Sequence, residues 1–187
     1  MSATILEQPE IRKAAFSFSI DQYHCLISDK STELLKGQII KKMPKSPLHT
    51  IFLGLLSNFL RSILPENYCL RQESPIVTFD SEPEPDIAIV NGSFEEYFPN
   101  HPKTAVLVIE VSISSLELDR AKAIVYAEAE IPEYWIIRPD VQIIEIYKEP
   151  INGKYLTKKE EPFENELKLF GKEIRLTHFL PNKHLQK

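Results

Sequence analysis

One short stretch constrains the fold of this chain more than any other: an apolar run that ends in a carboxylate. Residues 105–109, Ala-Val-Leu-Val-Ile, are continuously apolar and rich in β-branched side chains, and Glu110 follows directly. The run is too short to span a membrane and is typical of a central strand covered on both faces. A desolvated carboxylate is costly unless it is paired. The sequence therefore predicts that Glu110 faces a cation or a lysine at the end of a core strand.

A helix that could supply such a partner follows the strand. Residues 114–130 are predicted to be helical, and within them Ser115, Asp119, Lys122 and Tyr126 recur at spacings of four, three and four residues. Those spacings place side chains along one face of a helix. An acid, a lysine and a phenol are thus expected on one stripe close to the end of the strand.

A second carboxylate stands at the mouth of another apolar strand. Asp86 follows the acidic, proline-rich segment 82–85 and precedes residues 87–90, Ile-Ala-Ile-Val. Two such strands joined by one loop are expected to be neighbours in a sheet, which would bring Asp86 and Glu110 together. Paired carboxylates repel each other unless they share a cation, and Mg2+ favours one or two carboxylates with retained waters. The pair indicates a Mg2+ site, with Lys122 in reach to orient a water or to stabilise charge on a phosphate.

The order of the other elements predicts one α/β domain. The periodicity along the chain indicates a helix, a hairpin, a second helix, strands, a third helix and further strands. That order favours a mixed, mostly antiparallel sheet flanked by helices. Residues 1–18 are predicted to form an N-terminal tail, and residues 19–187 a single domain. No glycine-rich phosphate loop is present in the sequence, which argues against a doubly wound nucleotide-binding domain.

Three local predictions concern how the core is built. Residues 33–43 are predicted to form a hairpin, and residues 75–79 a strand. Residues 47–64 are predicted to form a long helix that begins at a proline. The residues of this helix that are predicted to face the core are Ile51, Leu55, Phe59 and either Ser62 or Ile63.

Composition narrows the setting of the protein. The net charge of −5 indicates that the whole surface does not attract nucleic acid, so such a partner would need a local basic patch or a metal. The two cysteines, Cys25 and Cys69, form neither a metal-spaced pair nor a disulfide framework, which is typical of a reducing cytoplasm. No apolar run approaches the roughly 20 residues of a spanning helix, and the N-terminus lacks a signal pattern. We therefore expect a cytoplasmic protein without a membrane partner.

The acids and the lysine, taken with their surroundings, resemble the PD-(D/E)XK nuclease superfamily. More closely, residues 20–180 resemble the bacterial Uma2 family of restriction endonucleases. The matching pieces occur in the same order along the chain. They are Glu33-Leu34-Leu35-Lys36-Gly37, Met43-Pro44 with Ser46 and His49, Glu84-Pro85-Asp86, Ile109-Glu110-Val111-Ser112, Asp119 with Lys122 and Tyr126, and Ile131-Pro132-Glu133-Tyr134-Trp135.

The resemblance implies a restriction-endonuclease-like fold and Mg2+-dependent hydrolysis of DNA phosphodiester bonds, with Mn2+ as a substitute ion. It implies Asp86 and Glu110 as metal ligands and catalytic residues, and Glu33 as a catalytic accessory acid. Ser112 stands where the superfamily usually has its lysine, so the catalytic lysine role passes to Lys122. DNA is then the partner. A homodimer is one way to cut both strands of a duplex, since that needs two sites or two visits to one site.

Each assignment also has a structural interpretation. Asp86 could be a turn or capping residue, and Glu110 could pair with Lys122 without any metal. Lys122 could instead be solvated or pair with Asp119, while Glu33 could lie on the hairpin surface. A catalytically inactive nuclease fold that binds nucleic acid or protein is therefore the second candidate function. The intact set of acids and lysine favours the enzyme, because a binding module does not need carboxylates at the ends of core strands.

Several neighbouring residues have a simpler structural interpretation. Gln38 stands where the turn motif of the family is commonly acidic, which leaves Glu33 as the acid of that hairpin. The simpler interpretation of His49 is a structural residue of the helix start, and that of Asp119 is a surface acid. Tyr126 is expected to pack in the core with its hydroxyl at the rim.

Overall fold

The described part of the chain alternates helices with strands. The computed structural model describes residues 10, 14, 16–28 and 31–181. The helices are α1 (Ile20–Leu26), α2 (Pro47–Ile63) and α3 (Leu116–Glu128). The strands are β1 (Thr32–Leu35), β2 (Gln38–Lys41), β3 (Tyr68–Gln72), β4 (Ile87–Asn91), β5 (Leu107–Val111), β6 (Glu133–Arg138), β7 (Ile143–Ile151), β8 (Lys154–Pro162), β9 (Leu167–Leu169) and β10 (Lys172–Ile174). None of the helices in these described residues is long and apolar enough to cross a membrane.

Six strands, β3 to β8, form one sheet in the order of their numbers. Neighbouring strands run antiparallel, except that β5 and β6 are parallel. Parallel strands need a crossover connection, and α3 provides it here. The predicted mixed and mostly antiparallel sheet is confirmed. Two hairpins stand outside it, one formed by β1 and β2 and the other by β9 and β10.

Helices cover the central sheet on both faces. On one face, α2 packs Phe52 and Leu56 into a cluster that includes Ile109 and Trp135. On the other face, Tyr126 of α3 packs into a second cluster that includes residues of β4, β5 and β6. All five residues of β5 are buried, so the prediction of a central strand covered on both faces is confirmed.

The first hairpin is attached to the sheet through α3 and through the segment before β4. Leu35 and Ile40 of the hairpin pack against residues of α3. The Glu82 N–H donates to the Leu34 carbonyl at 2.6 Å. The predicted tail of residues 1–18 lies mostly outside the described residues. Its last residues pass the hairpin turn, where the Phe18 N–H donates to the Gly37 carbonyl at 2.9 Å.

The predicted core face of α2 is wrong by about one residue. Ile51 and Leu55 are 46% and 44% exposed, and Phe59 is only partly buried. The residues of α2 that face the interior are His49, Phe52, Leu53, Leu56, Ser57 and Leu60. Residues 51–56 are apolar apart from Gly54, so their pattern fits two faces almost equally. The rotation of α2 is instead set by tertiary contacts, which both the polar and the apolar residues on its buried face make.

The predicted strand over residues 75–79 is also wrong, since this segment has no regular structure. Its backbone N–H groups bond to loops: Ile76 donates to the Pro83 carbonyl at 3.0 Å and Val77 to the Pro102 carbonyl at 2.8 Å. Both acceptors belong to prolines, which have no N–H to donate back to this segment. A continuous ladder cannot form against such partners, although the apolar residues in the segment suggest a strand.

A matched pair of substitutions in α2 tests which face is buried. Leu56 is fully buried, so Leu56→Ala is expected to lower the free energy of unfolding by about 2–5 kcal/mol. Leu55→Ala removes the same atoms from an exposed site and is expected to cost about 0.5 kcal/mol or less. Urea unfolding followed by circular dichroism measures both. Equal losses at the two positions would contradict the observed rotation of α2.

Candidate catalytic site

Antiparallel pairing of β4 and β5 brings two predicted carboxylates to one end of the sheet. Ile87 lies opposite Ile109, so Asp86, one residue earlier, comes next to Glu110. The Asp86 N–H donates to Glu110 Oε2 at 3.2 Å, and the Val111 N–H donates to Asp86 Oδ2 at 2.7 Å. Asp86 is 7% exposed and Glu110 is 4% exposed. The two side chains are therefore adjacent, buried and each bonded to the strand that carries the other.

Lys122 of α3 lies between two buried carboxylates. Its Nζ is 3.0 Å from Glu110 Oε1 and 3.0 Å from Glu33 Oε1. The second carboxylate oxygen of Glu33 accepts a hydrogen bond from the Glu84 N–H at 3.2 Å. The Tyr126 hydroxyl, one turn after Lys122, donates to Glu110 Oε1 at 2.9 Å. All four residues predicted as catalytic thus meet at one place, and the pairing of Glu110 with Lys122 is present.

The turn between β1 and β2 determines where Glu33 lies. Lys36 and Gly37 both have positive φ, 52° and 72°. A Cβ at Gly37 would lie 2.7 Å from the Cβ of Ser17, so glycine is required by space as well as by conformation. Lys36 Nζ is 2.7 Å from Asp80 Oδ2 and also contacts Glu128 at the end of α3. These contacts hold the hairpin beside α3, where Glu33 reaches Lys122.

Two further polar residues join the site, and for both the simpler interpretation of the sequence was wrong or incomplete. Asp119 is buried rather than on the surface, and its Oδ2 accepts a hydrogen bond from the Ser115 hydroxyl at 2.6 Å. His49 does serve the helix start, since its N–H donates to the N-cap Ser46 at 3.2 Å. It also contacts the site, with Nε2 3.0 Å from Asp86 Oδ2. The sequence signal that could have placed Asp119 in the site is its position on the same helical face as Lys122. Gln38 instead donates its side-chain N–H to the Phe16 carbonyl at 2.8 Å.

Burial opposes the ionisation of two of these acids. It raises the pKa of Glu110 to about 8, and it raises the pKa of Asp119, while the Lys122 ammonium acts in the opposite direction on both. Burial alone would lower the pKa of Lys122. The attraction of the surrounding carboxylates, first Glu110 and then Glu33, outweighs burial and holds that pKa well above its ordinary value. The lysine therefore stays charged beside an acid that ionises with difficulty.

Asp86 differs from Glu110 and Asp119. Burial acts to raise its pKa, but the hydrogen bond from His49 and the backbone bond from Val111 outweigh that effect, and the pKa of Asp86 is lowered. Asp86 consequently ionises more readily than Glu110 and Asp119, which suits it to hold a cation. Strongly ionised carboxylate oxygens are the donors that Mg2+ prefers.

The donor set at this site fits a divalent cation held from one side. Glu33, Asp86, Glu110 and Asp119 are all buried here with a single buried lysine, which leaves an excess of negative charge once they ionise. Among the described residues, no three His, Cys, Asp or Glu side chains converge on a common point. An ion between Asp86 and Glu110 would complete its coordination with water or substrate oxygens, which is the usual arrangement for Mg2+ at phosphates.

A surface pocket opens over these side chains and gives them access to solvent. Its walls include the four acids and Lys122, together with Ile113 and Ser114 from the β5–α3 connection and Leu118 from the first turn of α3. The opposite wall is formed by residues 42–46, the link between β2 and α2. The site is therefore buried at its base and open toward a large ligand.

Comparisons with known proteins show the family and the fold of this chain. A family model, Uma2, described as "Putative restriction endonuclease", matches residues 20–177. A crystal structure from Anabaena variabilis, described as "a putative nuclease belonging to DUF820", is similar with a TM-score of 0.70. The two chains are 15% identical, and the similarity covers 87% of this chain and 97% of that chain. At that identity the similarity shows the fold. The search of curated proteins gives no significant match.

Proposed function

The chain belongs to the Uma2 family, whose description is "Putative restriction endonuclease", and we propose that it is a Mg2+-dependent endodeoxyribonuclease. The reaction is hydrolysis of DNA phosphodiester bonds. The observation that carries the proposal is the meeting of Asp86, Glu110 and Lys122 at the ends of two central strands, at the base of an open pocket. The excess of buried acids at this place favours a site for a divalent cation over a purely structural cluster.

Asp86 and Glu110 are proposed to hold Mg2+, or Mn2+ in its place. When bound, the ion would neutralise the negative charge that develops on the phosphoryl oxygens. Asp86 is suited to this role because hydrogen bonds from His49 and Val111 fix the orientation of its carboxylate. Glu110 is oriented in turn by the Tyr126 hydroxyl and by the Asp86 N–H.

Lys122 is proposed to position the attacking water or the phosphoryl oxygen. An ammonium has three N–H donors, and two of those of Lys122 are directed at Glu110 and Glu33. The third can donate toward the pocket. Glu33 thus acts as an accessory acid that fixes the ammonium, so that its charge is already in place when the transition state forms.

The wider setting of this activity is also part of the proposal. DNA is the partner, and a homodimer would present one site to each strand of a duplex. Residues 19–187 would form the nuclease domain. Cys25 and Cys69 are free thiols, which suits a reducing cytoplasm.

Cleavage of supercoiled plasmid tests the proposed function. The purified protein is expected to convert the plasmid to nicked or linear forms in Mg2+ or Mn2+, and to leave it intact in EDTA. Glu110→Gln protein purified in parallel controls for contaminating nuclease. A protein that binds the plasmid in both ions but never cuts it would contradict the enzyme and favour the inactive binding module.

A further inference from the structure

The link between β2 and α2 places two lysines at the mouth of the pocket. Lys42 Nζ is 3.1 Å from Glu84 Oε1. Lys45 contacts Glu73, and its Nζ also lies 3.7 Å from Asp86 Oδ1. The side chain of Lys45 is 41% exposed, so it borders both the solvent and the buried acids. Lys45 is therefore the cation that reaches the proposed metal ligand from the solvent side.

The two oxygens of Asp86 have different surroundings. Oδ2 is bonded to Val111 and His49, which hold it toward the protein. Oδ1 faces Lys45 across the pocket. A divalent ion held by Asp86 would approach the same oxygen that Lys45 faces, and like charges at such a distance repel strongly in a half-buried site. An ion and Lys45 should therefore compete for Asp86.

Lys45 can also contact an anion above the pocket without leaving the pocket mouth. Its four-carbon side chain is flexible, and it stands immediately before the N-cap of α2. The first turn of α2 contains no acidic residue, so the positive end of the helix dipole adds to the charge of Lys45 there. An anion arriving over the pocket would meet this positive edge first.

We propose that Lys45 exchanges partners during the reaction cycle: it leaves Asp86 when a divalent ion binds there and then contacts a backbone phosphate of DNA beside the scissile bond. This inference rests on the proposed function and adds a substrate contact to it. Lys45 would then favour ion entry only when DNA can take up its charge, because its ammonium otherwise stays between Glu73 and Asp86.

The proposal predicts effects of opposite sign for one substitution. Lys45→Met keeps the apolar part of the side chain and removes the charge. In the absence of DNA, the full-length variant is expected to bind Mn2+ about two- to fivefold more tightly than the parent, which is the range for losing a half-exposed ion pair. Electron paramagnetic resonance of free Mn2+ measures the affinity. A role for Lys45 in stability alone would weaken Mn2+ binding or leave it unchanged.

DNA binding is expected to change in the other direction. Anisotropy of a fluorescein-labelled duplex, measured in Ca2+ over a range of salt concentrations, gives the dependence of affinity on salt. Losing one phosphate contact should make binding weaker and reduce the slope of log K against log salt by about 0.9. Gel electrophoresis confirms that the duplex stays intact. Lys45→Arg keeps the charge and is expected to retain the slope of the parent.

Lys148→Met is the matched control. Lys148 is 49% exposed and pairs with Glu133 at 3.0 Å, at the opposite end of β6 from the site. It should leave both measurements unchanged. If the parent protein binds Mn2+ and DNA but Lys45→Met behaves like Lys148→Met, the proposed exchange of partners by Lys45 is wrong and the proposed function still stands. A parent that binds neither would overturn the proposed function, and the exchange with it.

Discussion

Glu110→Gln is expected to abolish plasmid cleavage, with a loss of at least about a hundredfold. Glutamine keeps the shape of the side chain and one acceptor oxygen, but it removes the charge that a divalent ion needs. Asp86→Asn should have the same effect, because the two carboxylates are adjacent and share the proposed ion. The rise in melting temperature that Mg2+ or Mn2+ causes in the parent should disappear in both variants.

Glu133→Gln serves as the control for this pair. Glu133 begins β6 at the far end of the sheet and pairs with Lys148. Removing its charge changes the net charge of the protein by the same amount as Asp86→Asn, so any general effect of charge on DNA binding is matched. If Asp86→Asn and Glu110→Gln both cut plasmid as well as Glu133→Gln does, the site assignment is wrong.

The raised pKa of Glu110 adds a pH dependence to the same experiment. Burial holds this pKa at about 8, and only the ionised form can hold a cation. Ion binding should therefore release a proton, strengthen as pH rises, and level off above about pH 8. Calorimetric titration of Mn2+ at several pH values measures this. Any ion binding that remains in Glu110→Gln should lack this part of the pH dependence.

Lys122→Met is expected to separate ion binding from catalysis. The variant should lose at least about a hundredfold in cleavage rate, because no ammonium remains to position water or phosphate. Ion-induced stabilisation should persist, since Asp86 and Glu110 are unchanged. Lys148→Met again matches the change of charge. Turnover equal to that of the parent would remove Lys122 from the mechanism.

The same substitution should also destabilise the fold in a way that depends on pH. Removing the ammonium leaves Glu33 and Glu110 buried without their shared partner, which costs about 3–5 kcal/mol when they are ionised. Without Lys122 the folded pKa of Glu110 rises further above its unfolded value, so the loss is largest at high pH and shrinks as pH falls and Glu110 becomes protonated. Urea unfolding below and above the folded pKa of Glu110, which is about 8, measures the difference between variant and parent.

Much of the site's placement was predictable because it depends on contacts that are local in sequence. Asp86 and Glu110 lie on strands joined by one loop, and such strands are commonly neighbours. Lys122 follows from helical periodicity, since it shares a face with Tyr126 and the helix begins just after β5. Glu33 came from the family resemblance. The hairpin's packing against α3 then brings it to Lys122.

The rest required tertiary contacts that no local pattern specifies. His49 reaches Asp86 only because α2 is rotated away from the predicted stripe, and residues 51–56 are too uniformly apolar to fix that rotation. Asp119 is buried and its carboxylate accepts a hydrogen bond from the Ser115 hydroxyl, whereas a single acid on a helix normally indicates the solvent side. The segment 75–79 has the composition of a strand, but its available neighbours are loops.

The carboxylate of Asp86 accepts a hydrogen bond from the backbone of β5, and the carboxylate of Glu110 accepts one from the Asp86 N–H. These two hydrogen bonds have an evolutionary consequence. These bonds extend the pairing of β4 and β5 at its end, with side-chain oxygens as the acceptors. The same two residues would therefore serve both strand pairing and the proposed chemistry. A descendant that no longer cut DNA would still loosen its central sheet by losing either acid. Selection for folding alone would therefore preserve an acceptor oxygen at each position, which asparagine or glutamine also supplies, whereas only the proposed chemistry would preserve the two negative charges.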